Sequence, residues 1–216
     1  MLLDYLNPEI PPHLPVVESP FVIATPESVK GYGELVTDPQ SHPVKIVRWP
    51  AAGWREVDED TGDEAGTTDG VFACGWDGER LMARNDAVGG HYVLGFSRPP
   101  GETGAALPLP PQRLLLWHAN YHPDGGQLFY PQAPEPFVVP LALPGDDVRP
   151  EYFKTFWFDG SCGLYIHPNI WHEGVFPCGL AGRYFDRQGR VHARVSCHFP
   201  REFGVLLSVP LGPPAT

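Results

Sequence analysis

Apolar and polar positions alternate along this chain in short runs broken by turn residues, so the dominant hydrophobic period is 2 rather than 3.6. The runs cover 44–49, 70–76, 91–96, 113–121, 127–130, 137–143, 152–158, 163–166, 191–199 and 204–209. Their β-branched and aromatic residues suit a pleated, half-buried surface. Turn sequences such as Pro144-Gly145-Asp146-Asp147 and Asp159-Gly160-Ser161 separate them. Many short strands without alternating helices predict an all-β antiparallel sandwich or barrel with few short helices. One helix start is expected at Thr25-Pro26-Glu27-Ser28, which Gly31 and Gly33 end early.

The pattern breaks in three places. Residues 1–20 carry several prolines and read as an extended arm, expected to pack on a neighbouring subunit. An acidic insert at about 55–69 contains Glu56-Val57-Asp58-Glu59-Asp60 and lacks the Asp-x-Asp-x-Asp-Gly order of a calcium loop, so a solvated loop is expected. A Pro/Gly-rich stretch over 99–111 ends in a polyproline-like segment. Splitting the chain at either insert would leave half-cores too small to stand alone, so residues 1–216 read as one domain.

Composition narrows the function classes. The 24 glycines and 27 prolines imply many turns, and the net charge of −11 speaks against nucleic-acid or anionic-membrane partners. No stretch approaches 18 apolar residues, and the N-terminus has neither a basic start nor a long apolar run, so no membrane span or signal peptide is expected. Cys74, Cys162, Cys178 and Cys197 form no CxxC pair and read as reduced thiols in a cytoplasmic protein. No phosphate-binding glycine motif precedes a helix, so no nucleotide cofactor is expected.

The candidate chemistry gathers in two pieces. In the run 113–121, alternation puts His118, Asn120 and His122 on one face and Trp117, Ala119 and Tyr121 on the other. The turn Pro123-Asp124-Gly125-Gly126 then folds Gln127 back over the first face, so an imidazole and an amide oxygen reach one mouth of the fold. The second piece, Leu164-Tyr165-Ile166-His167-Pro168-Asn169-Ile170-Trp171-His172-Glu173, supplies two more imidazoles and a carboxylate. His167 and His172 fall on opposite faces unless Pro168 and Asn169 turn the chain, so one of them is a structural histidine. Glu173 is a base, a ligand or an exposed strand-end charge. Taken together, His122, Gln127 and His172 favour function over packing. His192 and His198 share a strand face with Arg194 and Ser196, either a solvent face or a pocket wall. Arg98 and Lys154 are surface cations or counter-ions for a substrate carboxylate.

At these residues the chain resembles the ureidoglycolate lyase family, whose pattern is an acidic residue two before a His-Pro-x-Gly-x-Gln-x-Phe-x-Pro run, then Tyr-His-x-x-x-Trp-His. The counterparts are His122-Pro123-Asp124-Gly125-Gly126-Gln127-Leu128-Phe129-Tyr130-Pro131, then Phe137-Val138-Val139, then Tyr165 through His172. Tyr32-Gly33 resembles the family's N-terminal Tyr-Gly segment. Two positions depart: Asn120 stands where the family has its carboxylate, and Glu173 where it has a second histidine.

The resemblance implies a cupin-like double-stranded β-helix and a lyase that cleaves ureidoglycolate, in purine catabolism through allantoin, to glyoxylate and urea. It also implies a homodimer and a divalent metal (nickel, manganese or zinc), for which His122, His172 and Gln127 are the ligand set. On this reading His122, His172, Glu173 and Gln127 carry the chemistry. Arg98, Lys154, Asn120, His167 and Tyr165 hold the substrate. Two alternatives remain: a lyase, isomerase or hydratase for a sugar-derived hydroxy acid, and a non-catalytic cupin that binds a small ligand.

Overall fold

The computed structural model describes residues 4–48, 53–58, 65–104 and 107–213. Ten strands form one sheet, in spatial order β1 (Val16–Glu18), β16 (Leu206–Pro210), β7 (Arg113–Leu116), β6 (Gly90–Phe96), β5 (Arg80–Asn85), β4 (Thr67–Asp77), β14 (Ala181–Gly189), β9 (Gln127–Pro131), β12 (Gly163–Ile166) and β3 (Gly33–Val36). A second sheet is ordered β13 (Phe176–Pro177), β10 (Phe137–Leu141), β11 (Lys154–Phe158) and β2 (Phe21–Ile23). A third pairs β15 (Val195–His198) with β8 (His118–Tyr121). The only helices among the described residues are one 3₁₀ turn, Pro150–Tyr152, and α1 (Phe199–Phe203), which Gly204 ends in the left-handed region at φ 67. The expected all-β, cupin-like architecture holds, as a sandwich of sheets rather than a closed barrel. No described helix is long and apolar enough to cross a membrane.

The core lies between the two larger sheets. Phe129 and Leu164 come from the ten-stranded sheet, Phe137 and Phe156 from the four-stranded one, and all four are fully buried. Phe137 stacks on Phe158 with ring centroids 4.6 Å apart, and Phe72 meets Phe129 edge-on at 5.5 Å. Each such side chain contributes about 1.5–3 kcal/mol by leaving water.

The chain crosses between sheets where the site is built. The run expected as one strand over 113–121 is two, because it changes partners at Trp117. β7 pairs with β6 and β16, and β8 pairs with β15 alone. Trp117 is buried and donates its indole N–H to the Val93 carbonyl at 2.7 Å, which anchors the switch. Alternation survives the crossing. Ala119 and Tyr121 enter the core, while His118 and Asn120 face the other way, into a cavity.

Two expectations need correction. Residues 25–33 form a turn, not a helix. Thr25 and Ser28 exchange side-chain to backbone N–H bonds at 2.8 and 3.1 Å, as a helix cap does, and Val29 N–H donates to the Thr25 carbonyl. Gly31 at φ 91 and the start of β3 at Gly33 then stop propagation. The run 44–49 makes a single bridge, Ile46 to Gly125, and straps the Pro123–Gly126 turn; its last residue, 49, lies outside the described residues. The N-terminal arm packs on its own chain: Tyr5, Ile10, Leu14 and Val16 cover the buried cluster of Val93, Phe96, Leu115, Trp117 and Leu206. Of the acidic insert, residues 59–64 lie outside the described residues, whereas Arg55 is docked through a two-pronged ion pair with Glu202.

The turn feeding Gln127 into the cavity depends on Gly126. A methyl group there would run into the Tyr165 ring, and into the Ile166 carbonyl at 2.6 Å, which is backbone and cannot yield. Gly126→Ala is expected to destabilise the protein by about 1–3 kcal/mol, read as a lower midpoint in denaturant unfolding. An unchanged midpoint would show that this turn can shift freely.

Candidate active site

The cavity faced by β8 is lined by Phe72, Asn85, Tyr92, His118, Asn120, His122, Gln127, Phe129, Glu173, His192 and Arg194. Two backbone bonds close one wall: Asn120 N–H donates to the His172 carbonyl at 2.7 Å, and His172 N–H to the Asn120 carbonyl at 2.8 Å. That bridge brings Glu173 beside Asn120, whose Nδ2 donates to the Glu173 carboxylate at 3.0 Å. His118 Nε2 lies 2.9 Å from the same oxygen, and the two side chains are 1% and 4% exposed. The carboxylate expected at position 120 is thus supplied from position 173, directly across the bridge.

A second buried carboxylate organises the opposite wall. Asp186, fully buried on β14, accepts from Gln127 Nε2 at 2.9 Å and from Gln188 Nε2 at 2.6 Å. Each amide passes on to an imidazole: Gln127 Oε1 lies 3.1 Å from His172 Nε2, and Gln188 Oε1 lies 2.6 Å from His192 Nδ1. His172 Nδ1 lies 2.7 Å from the Ile170 carbonyl, so the one proton of the neutral ring goes to one of these two acceptors, and His122 Nδ1 donates to the Ala193 carbonyl at 2.8 Å. The His122 ring centroid is 5.1 Å from that of His172 and 4.8 Å from that of His192. His192 sits in the left-handed region at φ 51, a conformation rare for residues other than glycine and concentrated at functional sites.

Burial sets the protonation of this wall. It pushes the Asp186 carboxyl up to about 6 and depresses the imidazoles, His172 to about 4 and His192 to about 3. His122 is held well below its ordinary value by burial and by the neighbouring His192 and His172. The cavity's cation is Arg194. Its Nε meets the Asp58 carboxylate at 3.3 Å, and its guanidinium lies over the Tyr5 ring at 4.5 Å. Tyr5 also touches His118 at 5.1 Å and Tyr92 at 5.8 Å, so the N-terminal arm covers the cavity. The space left inside is about 20 Å³, room for one or two waters.

Of the residues singled out in the sequence, Asn120, His122, Gln127 and Glu173 line the cavity, and His172 stands directly behind Gln127. His118, His192 and Arg194 line it too, whereas His167, Tyr165, Arg98 and Lys154 lie elsewhere. His167 and Tyr165 line a separate surface cleft with His42 and Lys45, where His167 Nε2 is 3.4 Å from Glu34. Arg98 pairs with Glu79 at 3.4 Å beside the Pro-rich stretch, and Lys154 is exposed at the start of β11. Sequence reading missed Asp186, Gln188 and Asn85. It saw His118 and Arg194 as face members without giving either a role. Asp186 escaped because β14 reads Ala-Gly-Arg-Tyr-Phe-Asp-Arg-Gln-Gly, in which Asp186 and Gln188 take the buried face that apolar residues normally mark. The residual signal was period-2 alternation of Tyr184, Asp186 and Gln188 against Phe185 and Arg187.

The resemblance implies a metal at His122, His172 and Gln127. The Gln127 amide spans His172 and Asp186, with its oxygen 3.1 Å from His172 Nε2 and its nitrogen 2.9 Å from Asp186. Among the described residues no group of three or more His, Cys, Asp or Glu is placed to hold a metal ion.

The comparisons with known proteins fall on this part of the chain. A strand-built pocket with a carboxylate–imidazole pair and a cation defines a candidate small-molecule enzyme. Residues 115–198 match the family model for ureidoglycolate lyase. The chain is 37% identical over 70 residues to a ureidoglycolate lyase of Azotobacter vinelandii, covering 32% of this chain and 40% of that protein. A ureidoglycolate lyase of Pseudomonas savastanoi pv. phaseolicola is 34% identical over 70 residues, 39% of its length. One from Escherichia coli O139:H28 is 35% identical over 63 residues, also 39% of its length. Over this segment the chain is similar to the ureidoglycolate lyases, and it spans about two fifths of the length of the curated relatives it matches.

The buried imidazoles set a pH dependence. His122, His172, His192 and also His198, lowered to about 4 by burial, have folded pKa values below the ordinary 6.5. The stability tied to their neutral forms is present above pH 6.5 and is lost as pH falls towards those lower values. Asp124 and Asp186, raised by burial to about 6, oppose this between 3.8 and 6 but are outnumbered. Each imidazole contributes a slope of at most about 1.4 kcal/mol per pH unit. The unfolding midpoint is expected to drop steadily from pH 7.5 to pH 5; a flat or rising profile would contradict neutral burial of these rings.

Proposed function

We propose that this protein is a lyase that cleaves the C–N bond of ureidoglycolate, giving glyoxylate and urea, in the cavity between β8 and β14. The observation that carries this reading is the buried His118–Glu173 pair. His118 Nε2 faces the carboxylate and carries a proton, so in the neutral ring Nδ1 is a lone pair, and it has no partner among the described residues. An imidazole oriented by a carboxylate on one nitrogen and open on the other is a general base with a ready return path for its proton.

The reaction needs one proton moved within the substrate. His118 Nδ1 takes the hydroxyl proton, and Glu173 stabilises the resulting imidazolium. The oxygen lone pair closes the carbonyl of glyoxylate while the C–N bond electrons leave with nitrogen. His118 then returns the proton to that nitrogen, releasing urea, and atoms and charge balance without a co-reactant. Arg194 takes the substrate carboxylate, a role for which Arg98 and Lys154 lie too far from the cavity. Asp58 fixes the guanidinium for that task. The present space is too small for the substrate, so the Tyr5 arm moves aside on entry. No step is routed through a metal.

Glu173→Gln keeps a hydrogen-bond acceptor for His118 and removes the charge that stabilises its cation. The expected result is a loss of about 10²–10⁴-fold in kcat with KM changed only a few-fold, and wild-type activity that survives chelation. A Glu173→Gln variant with wild-type kcat would remove the pair from the mechanism.

A further inference from the structure

Three buried polar atoms of the cavity lining have no hydrogen-bond partner among the described residues: His118 Nδ1, Asn120 Oδ1 and His192 Nε2. Their neighbours fix their polarity. Asn120 donates through Nδ2 to Glu173, which leaves Oδ1 as the acceptor end of its amide. Gln188 donates through Nε2 to Asp186, so its Oε1 takes the proton of His192 Nδ1, and in the neutral ring His192 Nε2 is a lone pair. Burial and the nearby Arg194 charge keep that ring neutral. His118 Nδ1 is likewise a lone pair opposite its Glu173-bound nitrogen. All three are acceptors. A buried acceptor without a donor carries a desolvation penalty of about 1–3 kcal/mol, and one site holds three of them.

We propose that Asn120 and His192 are the specificity-determining residues of this cavity, and that they select a ligand bearing a ureido group by accepting its N–H donors. The inference rests on the reading that the reaction occurs here, with His118 reserved for the substrate hydroxyl. A ureido group offers N–H donors on both of its nitrogens, a match that a hydroxy acid without nitrogen cannot make. A pocket built to hydrogen-bond a ligand N–H discriminates strongly against an isostere lacking it, because the protein's own buried groups are left unpaired. Selection here uses Asn120, the position at which the expected carboxylate is missing. With its amide nitrogen spent on Glu173, the residue presents a neutral oxygen, and a neutral acceptor suits an uncharged ureido group better than an anionic one crowded beside Glu173 would.

The test uses three probes of nearly one shape on the full-length chain: ureidoacetate, succinamate and 4-oxopentanoate. All carry the carboxylate for Arg194 and none has the hydroxyl, so none can be cleaved. N–H groups are replaced stepwise by CH₂ and CH₃. Calorimetric titration is expected to rank ureidoacetate above succinamate above 4-oxopentanoate, with a Kd ratio of at least about 30 between the ends, because each step leaves one more acceptor unpaired. His192→Phe, which fills the ring's place without an acceptor, is expected to compress that ratio to within about tenfold. Equal affinities across the series, or binding of none of the three, would overturn the proposal whether or not the variant folds. The two readings separate cleanly. A flat series with ureidoglycolate turnover sinks this inference alone, whereas a graded series without turnover sinks the lyase reading and keeps the ureido site.

Discussion

Asp186 has no exposed surface, and the cavity is arranged around satisfying it. A carboxylate in a dry interior needs donors on both oxygens or it protonates. Here Gln127 and Gln188 supply one donor each, and their carbonyl ends then face His172 and His192. One buried acid therefore fixes the orientation of two amides and, through Gln188, the tautomer of His192. Substituting Asp186 would disturb the far ends of both chains together, and such a network is expected to be strongly non-additive. Glu173 on the facing wall is held through one oxygen by both His118 and Asn120.

Backbone topology makes these side-chain pairings reachable. The switch of partners at Trp117 frees β8 to pair with β15 on one edge and to bridge His172 on the other. The pairing of Asn120 with His172 places Glu173 within 3.0 Å of the Asn120 amide. The amide at 120 and the carboxylate at 173 are thus coupled through one bridge. Segments outside the family-matched stretch complete the pocket, with Tyr5 over its mouth and Asp58 on Arg194.

Much of this is legible in the sequence. The period-2 runs matched β6, β9, β10, β11 and β12 closely, and alternation put His118, Asn120 and His122 on the cavity face. Turn chemistry at 123–126 correctly folded Gln127 back beside them. Sequence reading failed where a strand turns its polar side inward. β14 buries Tyr184, Asp186 and Gln188, so the hydrophobic pattern that should reveal a strand was absent and the hub of the site went with it. β5 was lost for a related reason, since only Leu81 and Ala83 mark its inner face before Asn85. Long-range charge pairing was equally invisible. Arg98 and Lys154 stood out as isolated cations, yet the fold brings Arg194 to the cavity, and only the three-dimensional path of β15 decides that.

The most direct test of the central claim is a product analysis of purified wild-type protein acting on each enantiomer of ureidoglycolate. The account predicts urea and glyoxylate in equal amounts from one enantiomer, with no ammonia, because His118 only relocates a proton and no water is added. Ammonia release would mean that the ureido carbonyl, not the C–N bond at the hydroxyl-bearing carbon, is attacked. No turnover of either enantiomer would remove the lyase reading altogether.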